Sequence, residues 1–438
     1  MILFIQIVNI IHKKYKGEIM SYINRTIENQ FNKAKGNFPV LLVTGSRQSG
    51  KSTLLEYISS KSSEKINYVS FDDLMERAKA VEDPENFLRA HETPLIIDEF
   101  QYAPDLLPYI KMRVDEARKN ALFGDKTPVG TMYYLTGSQV FNTMKKVSES
   151  LAGRVAIFDL YPLSTREIAN SSEHIFIPDI DELKKKEKLE YEPTNKLFNR
   201  ILTGSYPVLY SENIDREAFY SNYIRTYMER DVRQLINIKD EVKFVKFISC
   251  VAARTAQEYN ASDIGKEVGI DKNTADEWLS ILKNTYLVYL LQPYSNNVSS
   301  RVIKRPKVYF MDTGLACYLA GYIDERTLER SAYSGQIFET YIVSEIIKTY
   351  TNNTRDPRMH LYYYRDNNQK EVDLLIVNQN NIYPVEIKKS ANPGRESIKN
   401  FNIVDKFEMK SPNGIVLCMS KEIHLIDDKN YLIPIEYI

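Results

Sequence analysis

Short apolar runs rich in β-branched residues alternate with helix-like stretches from Phe38 to about Leu160, a rhythm that predicts a parallel sheet covered by helices. The strands so predicted are Val40–Thr44, Ile66–Phe71, Pro94–Asp98, Tyr133–Thr136 and Ala156–Leu160. From Asp181 to Tyr191 four lysines (Lys184, Lys185, Lys186, Lys188) stand among acidic residues with too little apolar content for a core, which predicts a solvated helix or loop. Helical segments continue to about Glu258, a helix-turn-helix pattern follows, and a second α/β region begins near Ser331. No internal repeat is visible.

A chain of 438 residues corresponds to about three domains at roughly 150 residues each. The divisions expected are an N-terminal segment 1–35, a P-loop core 36–170, a helical lid 171–258, a winged helix 259–312 and a C-terminal α/β domain 313–438. The 43% apolar content excludes wholesale disorder. Fifty-eight basic and 58 acidic residues cancel, so nucleic-acid or membrane binding has to be argued from local patches. Cys250, Cys317 and Cys418 are too far apart for a CxxC site and suit a reducing compartment. The apolar stretch Met1–Ile11 ends at His12, Lys13 and Lys14, short of the roughly 20 residues that span a bilayer. Its positive charge follows the apolar run, the reverse of a signal peptide, so a cytoplasmic protein without membrane contact is expected, with Met20 as an alternative start.

Gly45, Ser46, Arg47, Gln48, Ser49, Gly50, Lys51 and Ser52 match the P-loop pattern and stand after a predicted strand and before a predicted helix. Glycines there let backbone N–H groups turn toward phosphates, and the helix that begins at Lys51 presents its positive end to them. Lys51 would reach the β- and γ-phosphates of ATP, Ser52 would ligate Mg2+, and Thr53 continues the cradle. The run Leu95-Ile96-Ile97 leads into Asp98 and Glu99, two carboxylates whose natural partners are the metal and an attacking water. Asp98 would hold Mg2+ and Glu99 would act on the water. The next strand ends in Gly137, Ser138 and Gln139, where Ser138 could sense the γ-phosphate; an ordinary turn explains the residues equally.

These motifs, with SLAGRVAIFDLYPLS, GSYP and YIRTYMERDVRQL further on, resemble the prokaryotic AAA-type ATPases that carry a C-terminal domain of uncharacterised function. The resemblance spans nearly everything after Met20 and implies ATP hydrolysis. It also makes Arg154 a candidate for stabilising charge at the γ-phosphate, although a surface arginine ending a loop is an equal explanation. Arg225, Arg230 and Arg233 lie in a helical segment with Asp231, and ion pairs within it explain them as well as a ligand does.

Ser262 can cap a helix that Gly269 stops, and Asp271 can cap a second helix burying Ala275, Trp278, Leu279 and Leu282. Strand-like stretches Tyr286–Leu291 and Val308–Met311 would form a wing, with Arg301, Lys304, Arg305 and Lys307 as a basic cluster able to touch phosphates between them. The outer face of the second helix carries Asp276 and Glu277 with only Lys272 and Lys283, so DNA-groove binding and a purely structural winged helix stay level.

In the last third, Glu371–Val377 and Tyr383–Lys388 read as the two strands of a hairpin. With Gln379 and Asn380 as the central turn residues, Asp373 stands directly opposite Glu386, and alternation puts Lys388 on the face of Glu386. Two facing carboxylates call for a cation, and an all-oxygen set suits Mg2+ or Mn2+. Glu339, at the edge of the apolar face of a preceding helix, can reach the same place. Glu339, Asp373, Glu386 and Lys388 resemble the active-site pattern of the restriction-endonuclease-like fold, which implies metal at Asp373 and Glu386, assistance from Glu339 and water positioning by Lys388. A plain solvated sheet can also alternate in this way.

The expected fold is therefore α/β: a P-loop NTPase parallel sheet, a helical lid, a winged helix and a restriction-endonuclease-like domain. The expected function is an ATPase whose nucleotide state controls a nuclease-like domain acting on nucleic acid. The alternatives are an ATP-dependent switch that docks a protein partner through an inert C-terminal domain, and a DNA-binding regulator with a nucleotide sensor. A homo-oligomer is compatible with each.

Overall fold

The computed structural model describes residues 22–124, 129–137, 141–228, 232, 241–295 and 305–438. Helix α1 (Ile27–Ala34) precedes β1 (Val40–Gly45), and α2 (Lys51–Lys61) follows it. Then come β2 (Asn67–Ser70), β3 (Leu95–Asp98), α3 (Leu107–Phe123), β4 (Tyr133–Gly137) and β5 (Val155–Leu160). The five strands pair in parallel in the order β2-β3-β4-β1-β5. All six residues of β1 are buried, as a central parallel strand with both faces covered requires. Leu41 and Val43 pack with Ile27 and Phe31 of α1 and Leu54 and Leu55 of α2, whereas Val40 and Leu42 join the cluster of α3 on the opposite face. The carboxyl ends of β1 and β3 thus bring the glycine-rich loop and Asp98 to one edge of the sheet.

Beyond β5 one continuous apolar cluster runs from Tyr161 to Ile435. It takes in α4 (Thr194–Thr203), α5 (Arg216–Tyr227) and α6 (Glu241–Ala252). Next come β6 (Gln257–Glu258), α7 (Ala261–Val268), α8 (Lys272–Asn284), β7 (Val288–Leu291) and β8 (Lys307–Phe310). Gly269 ends α7 in the left-handed region and Asp271 caps α8, as the sequence indicates. The cap of α7 is Asn260, not Ser262: the Asn260 side chain accepts from the Ser262 N–H. The antiparallel order β6-β8-β7 closes a small sheet against this helix pair. Helices α9 (Thr313–Leu319) and α10 (Glu325–Arg330) pack on α4.

Helix α11 (Ser334–Asn352) leads into a six-stranded mixed sheet of β9 (Leu361–Arg365), β10 (Glu371–Asn378), β11 (Asn381–Lys388), β12 (Gly414–Cys418), β13 (His424–Leu425) and β14 (Asn430–Pro434). The β10–β11 register pairs Leu374 with Val385 and Asn378 with Asn381, the hairpin expected from the sequence. Between Val372 and Leu375 the pairing of β10 with β9 slips, a bulge across Asp373 and Leu374 that the sequence did not disclose.

The 181–191 segment is less free than its composition suggests. Leu183 is buried, Leu189 donates its N–H to the Glu436 carbonyl (3.0 Å), and Lys186 Nζ reaches the Ile175 carbonyl (2.8 Å). It is a tethered strap whose outer side chains face solvent.

Candidate functional site

The phosphate loop is built on two left-handed positions, Gln48 (φ 56°) and Gly50 (φ 92°). Gly45 approaches β5 so closely that a Cβ there would lie 2.0 Å from the Leu160 carbonyl oxygen, so only glycine fits. Lys51 is buried and donates to the carbonyls of Gly45 (3.2 Å) and Ser46 (2.8 Å). Ser52 Oγ donates to Asp98 Oδ1 at 2.7 Å, joining the start of α2 to the end of β3. Asp98 also accepts from Thr136, from the Tyr68 hydroxyl (3.2 Å) and from Ser70 Oγ (3.3 Å). Burial and the Asp98 charge raise the pKa of Tyr68, keeping it a donor.

Glu99 occupies the left-handed region (φ 56°), uncommon for a residue with a Cβ and typical of a functional turn. Its N–H donates to Thr136 Oγ1 (3.1 Å), and its carboxylate accepts from the Gln101 side chain. A hydroxyl and a carboxylate beside a lysine and the glycine-loop N–H groups are the donor set that suits Mg2+ with a polyphosphate. Ser138, proposed above as a sensor, lies outside the described residues together with Gln139.

A cavity of about 570 Å3 adjoins the loop and is walled by Gln48, Gly50 and Thr53 on one side and by Tyr22, Ile23 and Phe219 on another. Its mixed lining offers an apolar slot next to the phosphate cradle. Two residues here escaped the sequence reading, Arg25 and Glu167. Arg25 lies beneath the loop and Glu167 beside it, 3.2 Å apart and both almost fully buried. Arg25 belongs to no motif, and a lone arginine before a helix carries no signal; Glu167 closes a Ser164-x-x-Glu167 capping box, a spacing that does not point to Arg25.

Arg154 is corrected. In the parallel register its neighbour Val155 pairs with Val40 at the start of β1, whereas the loop begins at Gly45, opposite Leu160. Five residues of strand, roughly 16 Å, separate the two ends. Arg154 is instead paired with Asp115 of α3 through Nε (2.6 Å) and Nη2 (2.9 Å), so it does not reach the γ-phosphate of its own chain.

In the C-terminal sheet, Asp373 Oδ2 accepts from the Ile387 N–H (2.9 Å) and Lys388 Nζ donates to Glu386 Oε1 (2.6 Å). Glu339 of α11 accepts from the Tyr309 hydroxyl (2.7 Å) and from Lys307 Nζ (3.2 Å), and Lys307 also meets Glu371 at 2.5 Å. The structure thus overturns the placing of Lys307 in a phosphate-touching surface cluster, because it is 3% exposed and committed to these acids. Arg301 and Lys304 lie outside the described residues, as do Arg230, Asp231 and Arg233. Burial, with Asp373 close by, pushes Glu386 up to about 8. Burial also raises Glu339, to about 7, against the opposing pull of Lys307. Although burial opposes it, the charge of Glu339 and its acidic neighbours holds the Lys307 ammonium well above its usual value. Among the described residues no three His, Cys, Asp or Glu side chains are grouped as a metal site; Asp373 and Glu386 lie close enough for the charge of one to act on the other.

The two halves are joined by buried polar contacts around residues 163–165. Lys348 Nζ donates to the Leu163 carbonyl (2.9 Å) and to Ser205 Oγ (3.2 Å), and Glu345 accepts from the Thr165 N–H (2.7 Å). Asp312 holds Ser205 through its N–H (2.6 Å) and Oγ (3.0 Å) and takes the Tyr220 hydroxyl at 2.7 Å. Helix α11 therefore carries Glu339 toward the C-terminal sheet, and Glu345 and Lys348 toward the exit of the P-loop core.

Among the described residues no helix is long and apolar enough to cross a membrane. Comparison with known proteins finds two domains of unknown function, DUF8612 over residues 194–326 and DUF4143 over 334–438. Uncharacterized proteins of Mycobacterium tuberculosis and Mycobacterium bovis are each 27% identical over 357 residues, covering 81% of this chain and 71% of theirs. A Walker-type ATPase of Pyrococcus abyssi is similar at 14% identity and a TM-score of 0.41, covering 70% of this chain and 98% of that one. The ORC2 protein of Aeropyrum pernix is similar at 15% identity and a TM-score of 0.32, with 67% and 89% covered. Residues 37–169 match the family model described as an AAA domain, and the glycine-rich loop, the parallel strand order and the Ser52–Asp98 contact above all lie within that AAA-type P-loop domain.

Proposed function

We propose that the chain binds and hydrolyses ATP at the P-loop and that its nucleotide state controls the C-terminal domain, a nuclease-like module acting on nucleic acid. The observation that carries the first half is the Ser52–Asp98 contact at 2.7 Å beside Lys51, which joins loop, helix and strand end. In this reading the backbone N–H groups of Gly45–Lys51 and the Lys51 ammonium bind the phosphates, and the neighbouring cavity takes the base. Ser52 and Asp98 would hold magnesium, which neutralises phosphate charge when bound. Glu99, oriented by Gln101 and Thr136, positions the attacking water and receives its proton. The test is steady-state ATP hydrolysis by wild type and Lys51→Ala; equal turnover would remove the reading.

Control would pass through the buried contacts that bind α11 to residues 163–165. Since the C-terminal carboxylates are committed to Lys307, Lys388 and a backbone N–H, no cleavage step is derived for this arrangement. The same commitment favours a second reading, an ATP-dependent switch that docks a protein partner through an inert C-terminal domain. The discriminating assay offers single-stranded, duplex and branched DNA with Mg2+ or Mn2+, with and without ATP, to wild type and Asp373→Ala. Metal-dependent cleavage lost in the variant supports the nuclease; its absence beside intact ATP turnover supports the switch. A homo-oligomer is compatible with either reading.

A further inference from the structure

Between the left-handed residues Gln48 and Gly50, the backbone of Ser49 sits at the inner corner of the phosphate loop, fully buried. A loop that turns its N–H groups toward an anion points carbonyls the other way, and a buried carbonyl needs a donor. Arg25 supplies it: Nη1 donates to the Ser49 carbonyl at 2.8 Å, and Nη2 donates to the Tyr161 carbonyl at 2.7 Å. Its Nε faces Glu167 Oε2 at 3.2 Å, so the charge is matched inside the protein. Glu167 in turn accepts from the N–H groups of Thr26 (2.8 Å) and Ser164 (2.9 Å). The arm is stiff, because α1 begins two residues after Arg25 and buries Ile27 and Phe31 against the sheet.

We propose that Arg25 is a positioning residue for nucleotide binding: its guanidinium fixes the Ser49 carbonyl and locks the phosphate loop to the strand that leads into residues 163–165. The proposal rests on the reading of that loop as an ATP site. A planar fork reaches two carbonyls and a carboxylate at once, whereas an ammonium is a point donor. Losing the fork leaves the loop's outward carbonyl unpaired and lets its N–H groups drift from the geometry that phosphates require. The ground state and the transition state of hydrolysis both use that geometry, so the loss falls on KM rather than on kcat.

The experiment compares the full chain with Arg25→Ala and Arg25→Lys, measuring Mg·ATP binding by titration calorimetry, steady-state hydrolysis and thermal unfolding. Both variants are expected to raise the Kd and KM for ATP at least roughly tenfold, the size set by a charge-assisted hydrogen bond, with kcat nearly unchanged. Guanidinium ion added at millimolar concentration should recover part of the affinity in Arg25→Ala and none in wild type. A folded Arg25→Lys that binds ATP as wild type does would overturn the proposal, and this variant decides the matter if Arg25→Ala fails to fold. Equal falls in kcat and kcat/KM without guanidinium rescue would also overturn it, since that pattern belongs to a general structural defect. Wild type that binds no nucleotide would sink the ATP reading together with the proposal, whereas variants matching a nucleotide-binding wild type sink the proposal alone.

Discussion

Replacing Lys307 with methionine tests how the C-terminal acids are neutralised. Lys307 is 3% exposed and meets Glu339 at 3.2 Å and Glu371 at 2.5 Å, while the charge of Asp373 also acts on it. Methionine fills similar volume without charge, so the loss is electrostatic rather than a cavity. Removing one partner of a buried ion pair costs about 3–5 kcal/mol because the remaining charge stays uncompensated. A carboxyl escapes part of that cost by taking up a proton, and Glu339 is already raised to about 7 by burial with Lys307 in place. A carboxyl whose folded pKa exceeds its unfolded value binds more protons folded than unfolded between the two. Stability is then full below the ordinary 4.5 and falls as pH rises through the folded value. In Lys307→Met the folded value moves higher still, so the destabilisation should be modest at pH 5.5 and approach the full figure at pH 8. Urea unfolding followed through Trp278, the single tryptophan, buried against Phe244 and Phe247, reads this directly. An equal loss at both pH values, or none at pH 8, would refute the view of Lys307 as the internal counter-ion of these acids.

Further outcomes follow from the same geometry. Glu99→Gln should keep ATP affinity and lower kcat by roughly 100-fold or more, the scale of general-base loss; unchanged turnover would remove Glu99 from its role. Gly45→Ala should abolish nucleotide binding or folding, because its Cβ would meet the Leu160 carbonyl at 2.0 Å, and a folded variant with normal ATP affinity would contradict the close approach. In wild type, where Glu386 stands raised to about 8 by burial and Asp373, stability should decline between pH 5 and 8. Glu386→Gln should flatten that decline, and an identical pH profile would count against the raised carboxyl. Lys348→Met, which removes the bonds to the Leu163 carbonyl and Ser205, should alter the effect of ATP on protease sensitivity of the C-terminal domain if the 163–165 junction transmits nucleotide state. A nucleotide effect identical to wild type would remove the junction from that role.

The nucleotide cradle was legible in the chain itself. A run of β-branched residues, a loop of the right glycine spacing and an amphipathic helix are local features, and β1, the loop and α2 form where that pattern puts them. The same holds for the β10–β11 hairpin, because side-chain alternation and a two-residue turn determine which residues face each other. Charge partners were not legible, since they depend on which distant segments meet. Arg25 carries no pattern and the capping-box spacing of Glu167 does not name its charge partner, so their meeting beneath the loop depends on α1 packing beside β5. Arg154 looked available to a phosphate until parallel pairing put it at the opposite end of the sheet. Lys307 read as a surface base, yet β8 packs beside α11 and buries it among Glu339 and Glu371. Sequence periodicity encodes the strand and the face of each side chain, whereas the sign and distance of its neighbours arise only when the layers close and water is excluded from between them.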